Sequence, residues 1–315
     1  MKSTSSDLTN LSEIFKQQID RQPNAIAIAS LFVGLIAMSC AGIFIRLSEG
    51  ELSPNATIFN RCWIAFVVLW LWFSLNPGGQ KQQDRYTRND LLLLVAAGTF
   101  FWSWNILWAW SLARTSVANS TLLHSMTSLF ACLGGWLFWG RHIDSKFAMG
   151  LVLALGGTFA LEFKDMQVAT DNSIGDTVAL LSSIAYAGNI MLIERLREKL
   201  AAVTIIMWSC AIGTVLCLPI FLITGDRLLP PSWQGWLFVI GLAMVSQVLG
   251  QGLAAYSLKI LSSAFVTLLD LLEPIFAAIA AWAIFSESLS LSNWIAFAVV
   301  LSGLYLASSS KSAVK

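Results

Sequence analysis

Four side chains that carry charge or can acquire it, Arg61, His124, Asp270 and Glu273, sit inside long apolar runs of this 315-residue chain. In hydrocarbon a charge near the centre of a helix costs roughly 2.5 to 3.5 kcal/mol on insertion scales, so each needs a compensating role. Asp270 or Glu273 can carry a proton or accept a substrate ammonium, and the Arg61 guanidinium can receive a carboxylate or phosphate. Neutral amides at Asn105, Gln247 and Gln251 can add hydrogen bonds around the same solute. Charges of both signs suit a zwitterion such as an amino acid.

Spacing ties these residues together. Glu273 follows Asp270 by one helical turn and shares its face. Pro274 removes an amide hydrogen and clashes with the Asp270 carbonyl four residues back, which predicts a freed oxygen and a bend in mid-membrane. Such backbone should face protein or a water-filled cavity rather than lipid. The bland alternative for Asp270 to Pro274 is a structural kink whose carboxylate is tied to a neighbouring helix. Gln247 and Gln251, four apart, share one helix face. Trp104 and Trp108 flank Asn105 and either line a substrate path or fill packing space, while Tyr186 and Asn189 are weaker candidates of the same kind. Trp63, Trp70, Trp72, Trp233, Trp236 and Trp294 read as interfacial belt or packing. Arg61 lies a turn and a half below the end of its run, so it could also snorkel or pair with Glu49 or Glu51.

The elements that position these residues follow from composition. With 57% hydrophobic and 12% charged residues and a mean hydropathy of +0.71, the chain carries about half the charge of a soluble domain. An all-α integral membrane protein is the expectation. Apolar runs long enough to cross about 30 Å of hydrocarbon lie near residues 25–47, 56–76, 91–113, 116–139 and 146–163, then 177–194, 202–224, 233–257, 262–285 and 291–308. That predicts ten transmembrane helices.

A shift of 146 residues brings the second five runs onto the first five without a gap. It matches Ser116 with Ser262, Thr121-Leu122-Leu123 with Thr267-Leu268-Leu269, and Ala41-Gly42 with Ala187-Gly188. It also carries His124 onto Asp270 and Asn105 onto Gln251, whereas Arg61 falls on Met207. His124 and Asp270 are each ninth in their runs, so both should lie within about 6 Å of the midplane. Because five is odd, the two five-helix repeats must be inverted. The predicted organisation is a tail over 1–24, a first repeat over 25–163, a linker over 164–176, a second repeat over 177–310 and a tail over 311–315. With the N-terminus inside, 14 of the 19 Lys and Arg fall in inner segments, 4 in outer ones, and Arg61 within a run. Both termini are therefore expected in the cytoplasm, with the chain multi-pass in a plasma (bacterial inner) membrane.

A net charge of +1 without a basic stripe argues against nucleic acid as a partner. Cys40, Cys62, Cys132, Cys210 and Cys217 all lie in spans without CxxC spacing and read as packing residues, with neither metal nor cofactor implied. Leu8, Leu11, Phe15 and Ile19 keep helical spacing and could rest on the inner surface, or belong to a disordered tail. No phosphate-binding Gly-rich loop exists to couple nucleotide hydrolysis. An integral membrane enzyme could enlist Ser125, His124 and Asp270, but nothing fixes a nucleophile and no His-Glu-x-x-His pair occurs.

Leu272-Glu273-Pro274-Ile275-Phe276-Ala277-Ala278, with Trp282 and Glu287 further on, resembles the L-E-P-x-x-A motif and terminal glutamate of EamA-type carriers in the drug/metabolite transporter superfamily. Thr115 to Asn119 and Arg61 fit the same pattern, over residues 25 to 308. The first half departs from it, with Thr127-Ser128 opposite Glu273-Pro274 and Arg141-His142 where a Gly-Glu-Arg-like end is common. The resemblance implies a secondary carrier with a central cavity walled by helices 1 to 4 and 6 to 9, alternating access, and many relatives that export amino acids or other small metabolites. A sugar-phosphate or nucleotide-sugar exchanger is the alternative, and it would want more cations in the cavity than Arg61.

Overall fold

The computed structural model describes residues 23–48, 50–75, 87–112, 114–162, 173–276, 279 and 291–314. The first half contains α1 (Pro23–Ser39), α2 (Ala41–Ser48), α3 (Pro54–Leu75), α4 (Arg88–Leu112), α5 (Val117–Ser125), α6 (Thr127–Trp139) and α7 (Ser145–Glu162). The second contains α8 (Ser173–Leu196), α9 (Ala202–Thr224), α10 (Trp233–Gly241), a π-helical stretch (Leu242–Gln251), α11 (Gly252–Ser257), α12 (Ser263–Leu269), a 3-10 turn (Asp270–Leu272) and α13 (Leu291–Ser308). Local sequence sets many of the ends. Pro23 and Pro54 occupy first helical positions, where the missing amide hydrogen costs nothing. Ser116, Ser232 and Ser262 are N-caps whose side chains accept the amides of Asn119, Gly235 and Phe265. Gly140 and Gly225 end α6 and α9 at φ of 61° and 66°, a conformation that favours glycine.

Eight helical stretches among the described residues are long and apolar enough to cross a membrane. They fall on eight of the ten expected runs. Ser145–Leu161, in the fifth, is apolar but shorter, and the ninth is described only in its first part. Trp70, Trp72, Leu137, Phe138, Val152 and Leu237 are exposed on the outside of the bundle, as lipid-facing apolar side chains should be. Within the bundle, α4 packs along α8, α3 along α9, α1 along the π stretch and α11, α6 against α12, and α7 along α13. The last contact uses a pair of small residues: a Cβ added at Gly303 would lie 2.6 Å from both the Ala154 nitrogen and the Gly150 oxygen. Backbones that close pack by van der Waals contact, which drives helix association in lipid.

One expectation needs correction, and two further features were not foreseen. The bend at Pro274 does not leave the Asp270 carbonyl free, because the chain tightens into a 3-10 turn and the Glu273 amide donates to it. The mated helix of the first half breaks at the same register, between Ser125 and Thr127, although no proline is present. Hydroxyls substitute there: Thr127 donates to the His124 carbonyl at 2.6 Å and Ser128 to the Ser125 carbonyl at 3.2 Å. Finally, residues 310–314 dock onto the bundle. Ala313 accepts the Ser262 amide at 3.0 Å, Ser312 accepts the Ser262 hydroxyl at 2.9 Å, and Ser310 donates to Asp144 at 2.7 Å.

Asp144 also accepts the Phe147 amide at 2.8 Å, capping α7. The Phe147 amide first, then the Ser310 hydroxyl, holds this carboxyl below the usual carboxylate range. A depressed folded value contributes stability above the unfolded value of about 3.9 that is lost as pH falls through the folded value. Asp144→Ala should cost about 1 kcal/mol at neutral pH, as for other helix caps, and should remove that share of the acid sensitivity. Thermal midpoints of the detergent-solubilised protein at about pH 7 and about pH 3 check this; an equal drop at both would contradict it.

Candidate functional site

Helix α8 is the spine of the site. Ser182 and Tyr186, one turn apart, project from the same face and each engages one of the two repeat-mated residues. Ser182 Oγ lies 2.9 Å from His124 Nδ1. The Tyr186 hydroxyl donates to Asp270 Oδ2 at 3.0 Å. The His124 ring stacks on Tyr186, with centroids 5.5 Å apart and an interplanar angle of 18°. Trp104 approaches Tyr186 to 4.8 Å and Trp108 approaches His124 to 5.9 Å, measured between centroids. Two indoles from α4, an imidazole from α5 and a phenol from α8 thus form an aromatic box with Asp270 on one side.

A second group continues from it. Arg61 on α3 turns inward and donates through Nε to Gln247 Oε1 at 2.7 Å. The expected outward pairing with Glu51 does not form, since Glu51 accepts the Ser232 hydroxyl at 2.6 Å at the start of α10; Glu49 lies outside the described residues. Gln251 sits beside the Tyr186 hydroxyl. Glu273 is within electrostatic reach of both Arg61 and Asp270. Both glutamines are buried and belong to the π-helical stretch, whose widened turn re-aims side chains relative to an α-helix and recurs at functional sites.

Burial separates the lining from the packing. Arg61, Trp104, Tyr186, Gln247 and Gln251 are each less than a tenth exposed. Trp108, His124, Asp270 and Glu273 keep partial exposure although they belong to the same inward cluster. That combination fits side chains bordering a space between helices. Four polar atoms there lack a hydrogen-bond partner among the described residues: Asp270 Oδ1, Gln247 Nε2 and the Nε1 atoms of Trp104 and Trp108. Buried polar groups are nearly always paired, so orphans clustered at one place point to a missing ligand. They ask for a solute with at least one donor and with acceptors.

Nine sequence-predicted site residues are accounted for. Arg61, Trp104, Trp108, His124, Gln247, Gln251, Asp270 and Glu273 fall into the contiguous cluster just described. Asn105 is buried, but its amide donates to Phe101 of its own helix at 2.8 Å, so no hydrogen bond ties it to the cluster. Pro274 lies immediately beyond Glu273. Asn189 donates to the Ala97 carbonyl at 2.8 Å and joins α8 to α4, which is packing rather than lining. Ser182 is the residue that sequence reasoning missed; its only signal was a position one turn before Tyr186. Trp282 and Glu287 lie outside the described residues.

Known proteins resemble most of this chain. An uncharacterized transporter of Archaeoglobus fulgidus is 24% identical over 279 residues, covering 89% of this chain and 95% of that one. The pseudopaline exporter CntI of Pseudomonas aeruginosa is 24% identical over 250 residues, 79% of this chain and 84% of that protein. A solved crystal structure superposes with a TM-score of 0.77 over 90% of this chain and 97% of its own, at 15% identity, and so shares the fold. The model of the EamA-like transporter family matches twice, at residues 25–163 and 173–309. This chain therefore belongs to the EamA-like transporter family.

Proposed function

We propose that the protein is a secondary transporter that moves a small zwitterionic metabolite, an amino acid or similar, out of the cytoplasm by alternating access. The observation that carries this reading is the pairing of opposite needs in one cluster: among the described residues Asp270 Oδ1 lacks a donor, while two indole N–H groups and the Gln247 amide lack acceptors, with the Arg61 guanidinium nearby. An ammonium satisfies the first and a carboxylate the others. A sugar phosphate would put two negative charges beside Asp270 and Glu273 with Arg61 as the one cation of the cluster among the described residues, so the charge balance disfavours that alternative.

The mechanism rests on ten crossings arranged as two inverted five-helix repeats, over 25–163 and 177–310, with both termini on the cytoplasmic side. Packing supports it. Under the 146-residue offset α3 is the mate of α9 and α7 of α13, and each packs on its own mate. The contact of α1 with the π stretch and α11 corresponds to the contact of α8 with α4. Oppositely oriented halves can exchange conformations, closing one side as the other opens, around a site at their interface. Export is the direction in the name of the Pseudomonas aeruginosa relative. A proton alternating with the substrate ammonium on Asp270 or Glu273 would couple the cycle to a gradient.

A competition binding screen on the purified protein, with amino acids, the corresponding amines, sugars, sugar phosphates and nucleotides across pH, tests this. Zwitterions should compete best. Preferential binding of sugar phosphates, with amino acids inert, would overturn the reading.

A further inference from the structure

The charged knot at the cytoplasmic end of the bundle has no place in the solute site. Glu194, in the last turn of α8, is 1% exposed and its Oε1 lies 2.7 Å from Arg141 Nη2, just past the end of α6. Its Oε2 accepts the Ser263 amide at 3.1 Å, at the first residue of α12. One carboxylate thus ties together the inner ends of the three helical segments that carry His124, Tyr186 and Asp270. Along α8, eight residues separate Tyr186 from Glu194, about 12 Å at 1.5 Å per residue; Ser263 to Asp270 spans about 10 Å. Against the knot lies a cavity of about 320 Å³ lined by Trp139, Arg141, Glu194, Arg195 and Glu198. Arg141 borders it half-buried and lies 4.8 Å from the Trp139 ring centroid.

We propose that the Arg141–Glu194–Ser263 knot is the inner gate of the transporter, and that the cavity beneath it is the mouth through which solute enters from the cytoplasm. This rests on the transport reading above. Solute cannot pass between α6, α8 and α12 to reach Asp270 while Glu194 holds all three ends, and removing one partner of a mostly buried ion pair releases the others at high cost. The offset gives Glu194 no charged mate, while Arg141 falls on Glu287, outside the described residues. Glu194 maps onto Ser48, which carries no charge and donates to the Ile45 carbonyl of its own helix at 2.8 Å. The three ion pairs formed between described residues all lie at predicted cytoplasmic ends.

The test reads access rather than transport. Thr267, one turn inside Ser263 on α12, is 1% exposed; Thr267→Cys in a full-length background with the five native cysteines replaced by alanine gives a reporter. A membrane-impermeant cationic methanethiosulfonate is applied to inside-out and to right-side-out vesicles without solute. Glu194→Gln, which keeps an acceptor for the Ser263 amide, and Arg141→Gln should each speed labelling from the cytoplasmic face about tenfold or more, and Arg141→Lys should leave it slow. An unchanged rate in both variants, an equal rise from the outer face, or fast labelling in Arg141→Lys overturns the gate. Because no solute is present, failure here leaves zwitterion transport to be decided separately by the binding screen.

Discussion

Asp270→Asn is expected to lower transport in proteoliposomes about a hundredfold while the protein folds and inserts normally. The asparagine carbonyl oxygen can still accept the Tyr186 hydroxyl, now bonded to Oδ2 at 3.0 Å, so the α8 contact survives. What disappears is the charge at Oδ1, the oxygen that has no partner among the described residues. Truncating one member of a buried charged pair costs about 2 to 5 kcal/mol, and about 3 kcal/mol is roughly a hundredfold in affinity. If Asp270 rather than Glu273 is the proton site, residual transport should also lose its pH dependence. Thermal midpoint in detergent reports folding and radiolabelled solute flux reports function. Unchanged flux at every pH would remove Asp270 from the site.

Much of this arrangement was legible because lipid leaves few options. An apolar run of sufficient length has to satisfy its backbone internally, so the helices and their ends followed from residue type, down to the mated caps Ser116 and Ser262. The buried polar side chains were legible for the same reason, since each is too costly to be accidental. Their convergence was not legible. His124 and Asp270 are mates under the offset, yet what joins them is a third element, α8, through Ser182 and Tyr186. A serine in an apolar run is too common to stand out, and Tyr186 was only a weaker candidate.

Backbone irregularities were the other blind spot. Pro274 announced a bend in the second half, but the matching break after Ser125 depends on Thr127 and Ser128 hydroxyls returning to carbonyls of their own turn, a choice that tertiary packing makes. The π-helical stretch over Leu242–Gln251 leaves no mark in composition, although it places both glutamines in the interior. Arg61 shows the limit of depth alone. A turn and a half from the membrane surface, it could have reached outward, but Glu51 is committed to Ser232 and Gln247 offers an acceptor inside.

Arg61→Met should act as a specificity switch rather than a simple loss. If the guanidinium receives the substrate carboxylate, removing it deletes charge-assisted hydrogen bonds worth about 1.5 to 3 kcal/mol, roughly 10- to 150-fold in affinity for an amino acid. An amine of the same side chain but without the carboxylate makes no such bond, so its affinity should be unchanged or higher, because Asp270 and Glu273 then act on it without the opposing cation. The comparison is a two-by-two cycle of wild type and variant against amino acid and amine, read as dissociation constants. Methionine fills the volume of the aliphatic stem and leaves no charge to bury, which limits structural cost, while the Gln247 oxygen loses its 2.7 Å donor in both arms of the cycle and cancels. Equal weakening of the two ligands would mean that Arg61 holds the helices around Gln247 and does not touch the solute; selective loss of the amino acid places the carboxylate on the guanidinium.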